Sequence, residues 1–247
     1  MLSMQNRDGG WGAFDRANDC AILTQVPFAD HNAMIDPSTE DVTARVIECL
    51  GRFGWNASHP IVKRALSYLQ REQCPDGSWY GRWGVNYVYG TGGVLRALEA
   101  LGLADRDVAK LAAQWLRSVQ NPDGGFGETC ASYDDEEMKG KGPSTPSQTA
   151  WGLIGLLAAA VPNDPAVTGA LRFLTQHQKD DGTWAEAATT GTGFPTVFHL
   201  KYHLYRIYFP LYALARFRNI QKATTPFCGV LVSPHQFERR NGARVNR

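Results

Sequence analysis

Four aromatic residues near the C-terminal end of the chain, Phe194, Phe198, Tyr202 and Tyr205, stand 4, 4 and 3 residues apart. Read as a helix with Pro195 in its first turn, the segment carries all four on one face. Rings at that spacing are ordinarily core, although an aromatic face also attracts positive charge and is a poor nucleophile. Three adjacent acidic pairs could move a proton: Glu40-Asp41, Asp134-Asp135 and Asp180-Asp181. Each has a plainer reading. Glu40-Asp41 sits at an expected helix start, where the dipole favours carboxylates. Asp134-Asp135 lies in the polar stretch ASYDDEEMKGKGP and reads as solvated, and Asp180-Asp181 belongs to a turn. His199 and His203, at i and i+4, could share a metal. No carboxylate or cysteine joins them in sequence, so no metal site is expected. YGTGGVL looks like a phosphate loop, but no strand precedes it and its spacing is not G-x-G-x-x-G.

The elements that must position these residues are organised by a repeat. Gln, three residues, Gly, one residue and a large aromatic recur as Gln5–Gly9–Trp11, Gln73–Gly77–Trp79, Gln120–Gly124–Phe126 and Gln178–Gly182–Trp184. The last three share a prefix: Ala65, Tyr68, Leu69; Ala112, Trp115, Leu116; Ala170, Phe173, Leu174. The prefix puts apolar residues on one helical face. Pro75 and Pro122 follow their glutamines by two residues, where a helix ends. The Asp-Gly step turns the chain, the aromatic folds back over the turn, and the glutamine amide is placed to bond free backbone groups at the helix end.

Between these amphipathic helices lie apolar ones: VTARVIECLGRFG, GGVLRALEALGL, TAWGLIGLLAAA and YFPLYALARFRN, with Ser38, Thr39, Thr91 and Ser147 as candidate N-caps. Apolar helices inside and amphipathic helices outside, in alternation, predict an all-α fold of two concentric layers, an incomplete α/α toroid. After about Ile220 the helical pattern stops, and 219–247 reads as a poorly ordered basic tail.

Composition sets the outer limits. The 247 residues suffice for a sizeable core, and 25 Lys and Arg against 24 Asp and Glu leave a net charge of +1, which points away from nucleic acid. The five cysteines form no C-x-x-C pair, so a reducing compartment is expected. The longest apolar run, Gly152–Val161, is too short to cross a bilayer.

The repeat resembles the QW motif of triterpene cyclases. DGSWYGRWGVNYVYGTGG, GKGPSTPSQTAWGL and TGTGFPTVFHLKYHLYRIYFPLYALARF resemble the C-terminal part of bacterial squalene–hopene cyclases, and the resemblance covers about residues 1–218. It implies an α/α barrel that folds squalene in a buried cavity. A terminal double bond is protonated, and a cationic ring closure runs to hopene or hopanol. It implies no metal or organic cofactor, a peripheral place on the cytoplasmic side of a bacterial membrane, and leaves a homodimer open. The glutamines and their aromatics become outer-layer clamps. Phe194 and Phe198 match phenylalanines that stabilise late cations. Leu200, Tyr202 and Tyr205 match neighbours that shape the pocket. Tyr89 matches a tyrosine near the early ring-forming steps, and Trp151 a tryptophan of the cavity wall.

The family carries its acid in a D-x-D-D tetrapeptide, and this sequence has none. The expectation is therefore a chain without a catalytic acid of its own, whose N-terminal counterpart supplies it. Two other readings stay open: a non-catalytic toroid remnant that binds a hydrophobic ligand or a partner chain, and a protein prenyltransferase β-subunit, for which Asp, Cys and His zinc ligands cannot be assembled.

Overall fold

The computed structural model describes residues 1–20, 22–23, 34–159 and 164–224. The helices are α1 (Glu40–Arg52), α2 (Pro60–Arg71), α3 (Tyr87–Ala100), α4 (Asp107–Ser118), α5 (Pro146–Ala159), α6 (Pro165–Gln176) and α7 (Tyr205–Thr224). Helices α1, α3, α5 and α7 pack side by side in that order, and α2, α4 and α6 lie outside them. This is part of a two-layered α/α toroid. Every residue of α5 from Pro146 to Ala158 is buried, whereas α2 buries only Val62, Ala65, Tyr68 and Leu69. Helix α1 departs from the expected apolar inner type. It is amphipathic, because it stands at one end of the arc with an exposed flank. Helix α7 runs to Thr224, past the expected boundary at 218, and residues 225–247 of the expected tail lie outside the described residues.

The outer layer is tied together by the repeated turns. Each turn glycine has positive φ: Gly9 100°, Gly77 96°, Gly124 87° and Gly182 80°. The aspartate before it closes an Asx turn, as where Asp76 Oδ1 accepts from the Ser78 N–H at 2.9 Å. Each glutamine Nε2 donates to the carbonyl of its own turn glycine: Gly9 at 2.8 Å, Gly77 at 3.0 Å, Gly124 at 2.8 Å and Gly182 at 2.9 Å. In the first three copies the second proton reaches the next outer helix, at Ile61 O 2.9 Å, Val108 O 3.0 Å and Ala166 O 2.8 Å. The tryptophan reaches the other way. Its Nε1–H donates to the carbonyl four residues before the glutamine: Met1 at 3.0 Å, Leu69 at 2.7 Å and Leu174 at 2.8 Å. One motif thus caps the end of one helix and holds the start of the next.

Inner helices are held by the same units. Thr43, Thr91 and Thr149 hydroxyls accept the backbone N–H of Trp11, Trp79 and Phe126 at 3.0, 2.9 and 2.9 Å. Thr91 is therefore no N-cap: α3 starts four residues earlier, and the threonine serves the clamp. Ser147 lies inside α5. Ser38 binds the first turn instead, accepting from Asn6 and donating to Asp8 at 2.9 Å each. Thr39 does stand at the cap position, and its hydroxyl donates to Asp41 at 2.7 Å rather than accepting from the helix.

Of the expected helix over Phe194–Tyr205, residues 194–200 belong to a β-hairpin, and only Tyr205 is helical, as the first residue of α7. Gly191–Phe194 (β1) pairs antiparallel with Phe198–Leu200 (β2), Gly191 opposite Leu200, Thr192 opposite His199 and Phe194 opposite Phe198. The physical reason lies in the glycines, which helical spacing alone does not weigh. A Cβ on Gly193 would lie 2.1 Å from the Phe198 ring, and one on Gly191 2.5 Å from the Tyr202 ring. The aromatics pack over bare backbone, and that contact outweighs a helical stripe. Thr196, at φ +66°, makes the turn after Pro195.

Candidate functional site

At the N-terminal ends of the inner helices the aromatic side chains converge. Tyr89, in the first turn of α3, meets Trp151 of α5 edge-on at 4.8 Å. Trp151 meets Tyr205 at 5.8 Å and Phe209 at 5.3 Å, both on α7. Tyr202 stacks on Tyr205 at 4.7 Å. Four of the seven sequence-selected wall residues thus form one continuous surface. Phe194 and Phe198 pack on each other at 5.5 Å in the hairpin, and Leu200 lies opposite Gly191, whose bare backbone supports the Tyr202 ring. Phe209 escaped the sequence reading although it lies four residues after Tyr205.

Positive charge already rests on these faces. The Arg82 guanidinium lies 4.6 Å from the Trp83 ring centroid and 5.4 Å from that of Phe194, and Arg45 lies 5.7 Å from that of Tyr89. Trp83 also takes Phe14 edge-on at 5.7 Å. Burial pushes the Tyr89 hydroxyl above the usual phenol range, so it stays neutral.

The carboxyl groups near this surface are acceptors. Asp41, 3% exposed, takes the Thr39 hydroxyl at 2.7 Å and the Val42 and Trp83 N–H groups at 2.9 and 2.8 Å. Burial pushes its carboxyl up, against the pull of these hydrogen bonds. Its function in the fold is to hold the Trp83 backbone, not to cap its own helix alone. Glu128, missed in the sequence because no acidic partner flanks it, is 4% exposed and accepts the Asn86 and Val88 N–H groups at 3.1 and 3.0 Å. It therefore fixes the start of α3, which carries Tyr89. Gln148 braces the same junction, donating to Val85 O at 3.0 Å and Glu128 O at 2.8 Å. Tyr133 joins the hairpin to it: its hydroxyl donates to Gly81 O at 2.8 Å, and its ring stacks on His199 at 5.8 Å. His199 lies on β2 and His203 in the turn before α7, so the two do not share a helix face. Among the described residues no group of three or more His, Cys, Asp and Glu could hold a metal. Asp134 and Asp135 are exposed, as is the Asp180-Asp181 turn.

Glu40 differs from its neighbour. It lines a cleft of about 330 Å³ with Tyr68, Glu72, Tyr80, Arg82 and Phe194, and burial, aided by the charges of Asp41 and Glu72, pushes its carboxyl up to about 8. The group is protonated at neutral pH. Its folded pKa lies above the ordinary value of 4.5, so the folded state holds the extra proton between these values. Stability should then fall as pH rises from about 4.5 to about 8 and level off above that. Chemical denaturation across this range checks it: Glu40→Gln should flatten the decline relative to the parent, and an identical slope in both would contradict the buried neutral carboxyl.

The type II terpene cyclase MstE from Scytonema, solved with merosterolic acid A, superposes with a TM-score of 0.58 at 21% identity, covering 87% of this chain and 63% of that one, and so shares the fold. The α/α toroid of terpene cyclases is the architecture of this chain. The family model for the squalene-hopene cyclase C-terminal domain matches residues 1–219, and the chain belongs to that family. It is 48% identical over 228 residues to the squalene–hopene cyclase of Zymomonas mobilis, covering 91% of this chain and 34% of that protein. It is likewise 48% identical over 220 residues to that of Alicyclobacillus acidocaldarius, covering 89% and 35%. The chain spans about a third of the length of these relatives. No helix among the described residues is long and apolar enough to cross a membrane.

Proposed function

We propose that this chain forms the C-terminal wall of a triterpene cyclase that converts a squalene-like isoprenoid to hopene or hopanol. The observation that carries this is the joined ring surface Tyr89–Trp151–Tyr205–Tyr202 beside the Phe194–Phe198 pair, on which guanidinium groups already rest. A proton added to a terminal alkene leaves a carbocation, which passes along the chain as each new C–C bond forms. Loss of a proton yields hopene, and capture of water yields hopanol. Any nearby lone pair would end that passage early, whereas ring faces lower the energy of the cation without bonding to it. Phe194 and Phe198 serve the late cations, Tyr89 and Trp151 line the cavity, and Leu200, Tyr202 and Tyr205 shape it.

The acid comes from the remaining portion of the longer cyclase. Asp41 accepts three donors, and Glu128 holds two backbone N–H groups at the start of α3 through one oxygen while its Oε1 is buried without a partner among the described residues, so we assign both carboxyls to the fold rather than to alkene protonation. No metal or organic cofactor is invoked. The working assembly sits peripherally on the cytoplasmic side of a bacterial membrane, where its apolar substrate resides.

Phe198→Ala, in a complete enzyme built with an acid-bearing N-terminal portion, should release prematurely terminated, partly cyclised products. Phe198→Tyr keeps a ring face and should shift the profile far less. Gas chromatography–mass spectrometry of the products decides it. An unaltered profile in Phe198→Ala would return this residue to plain packing.

A further inference from the structure

The hairpin that carries Phe194 and Phe198 is tied at its base and irregular toward its tip. At the base, the Val85 N–H donates to Thr190 O at 3.0 Å, Gly84 bridges to Gly191, and the Thr192 N–H donates to Trp83 O at 3.3 Å. Beyond Thr192 the register between β1 and β2 shifts, so the ladder is irregular at Gly193. Such a break bends the strand and re-aims the side chain beside it. Arg82 spans the break. Its Nη1 donates to Gly193 O at the long distance of 3.5 Å, and its guanidinium stands over the Phe194 ring at 5.4 Å and the Trp83 ring at 4.6 Å. Trp83 is itself fixed, since its N–H donates to Asp41 Oδ2 at 2.8 Å and Phe14 meets its ring edge-on at 5.7 Å. The two carboxyls that share the cleft with Arg82 leave it to the rings: Glu40 is neutral at neutral pH, and Glu72 pairs with Arg71 at 2.9 Å.

We propose that Arg82 is the positioning residue of Phe194: its guanidinium holds one face of that ring together with the Gly193 carbonyl, and so sets the opposite face toward the late cations of the cyclisation. The proposal rests on the reading of Phe194 as a cation-stabilising residue and adds the group that orients it. Cation–π attraction draws the guanidinium to a ring face, and its planar fork bonds a carbonyl at the same time. A face already covered by positive charge is closed to a carbocation, so the ring serves the substrate from one side. The path Asp41–Trp83–Arg82–Phe194 then links the start of α1 to the tip of the hairpin.

A para-fluorophenylalanine placed at Phe194 reports on the ring without any need for catalysis. In the full chain, fluorine NMR should show one line displaced from that of the unfolded chain. Arg82→Met removes the charge and the donors at similar length, and the line should broaden and move toward the unfolded position. Arg82→Lys keeps a charge for the ring face and should retain most of the displacement. The second arm reads products from a fusion of the acid-bearing N-terminal portion of the Alicyclobacillus relative to this chain. There Arg82→Met should raise the share of prematurely terminated, partly cyclised products several-fold, with Arg82→Lys close to the parent. A residue that only stabilises the fold would lower Tm and leave the product profile unchanged, and that result overturns the proposal. So does a fluorine line in Arg82→Met identical to the parent's. If Arg82→Met does not fold, Arg82→Gln takes its place with the same expectations, and loss of the fold in both assigns Arg82 to general stability and overturns the proposal as well. A fusion that cyclises nothing, whichever residue stands at 82, sinks the catalytic reading instead, and the fluorine line still decides whether Arg82 fixes the ring.

Discussion

Trp79→Ala should destabilise the chain by about 3–5 kcal/mol, the range for truncating a large buried ring. Trp79 is 1% exposed, and its Nε1–H donates to Leu69 O at 2.7 Å at the end of α2. The ring borders a cleft of about 390 Å³ lined by Leu66, Val94 and Leu98 from the two layers. Deleting it enlarges an existing gap that the flanking helices cannot close without releasing the Gln73 bonds to Gly77 and Val108. At roughly 2–4 °C per kcal/mol for a chain of this size, Tm should fall by about 6–20 °C. Trp79→Phe keeps the ring and loses one hydrogen bond, so it should cost only about 1 kcal/mol; the third copy already carries Phe126 in this place. An unchanged melting temperature in Trp79→Ala would show that the turns do not clamp the layers.

Squalene given to this chain alone, in detergent micelles, should be recovered unchanged. Aromatic faces lower the energy of a cation that exists but cannot make one. Making one requires a carboxylic acid with a proton to give and a line of approach to the alkene. Asp41 accepts three donors, and Glu128 Oε2 accepts two backbone N–H groups at the start of α3, which fixes that carboxyl in the fold. Glu40 is protonated at neutral pH, but a carboxyl held to about 8 by burial is a weaker acid than an ordinary one and cannot drive alkene protonation. Cyclised product from the unaided chain would point to Glu40 before Asp41, and Glu40→Gln would then have to abolish it.

The sequence made the layers and clamps readable because each clamp is a local unit. Glutamine, Asp-Gly and aromatic lie within seven residues, and their partners recur at a fixed offset in the next helix. The prefix periodicity of 3.6 matches helices that bury one face. Legibility failed where tertiary contacts set the backbone. The spacing of Phe194, Phe198, Tyr202 and Tyr205 is helical, but Phe198 and Tyr202 lie against Gly193 and Gly191, and those contacts select a hairpin. Thr91 has the side chain of a cap, yet it serves Trp79 from twelve residues away. Glu128 and Gln148 meet across 20 residues, and no local pattern encodes that pair. Glu40 and Asp41 are adjacent in sequence, yet one borders a cleft beside Phe194 and the other accepts from the Trp83 backbone 42 residues away, which no local pattern encodes.

The division of labour between this wall and an acid held elsewhere is tested most directly by product analysis of squalene after incubation with a fusion. The fusion places the acid-bearing N-terminal portion of the Alicyclobacillus relative ahead of this chain and is compared with the chain alone under the same conditions. The expected result is pentacyclic product from the fusion and none from the chain. Two results would contradict it: a fusion that is folded, shown by loss of Tm on Gln73→Ala, and yet cyclises nothing, or a chain that cyclises squalene unaided.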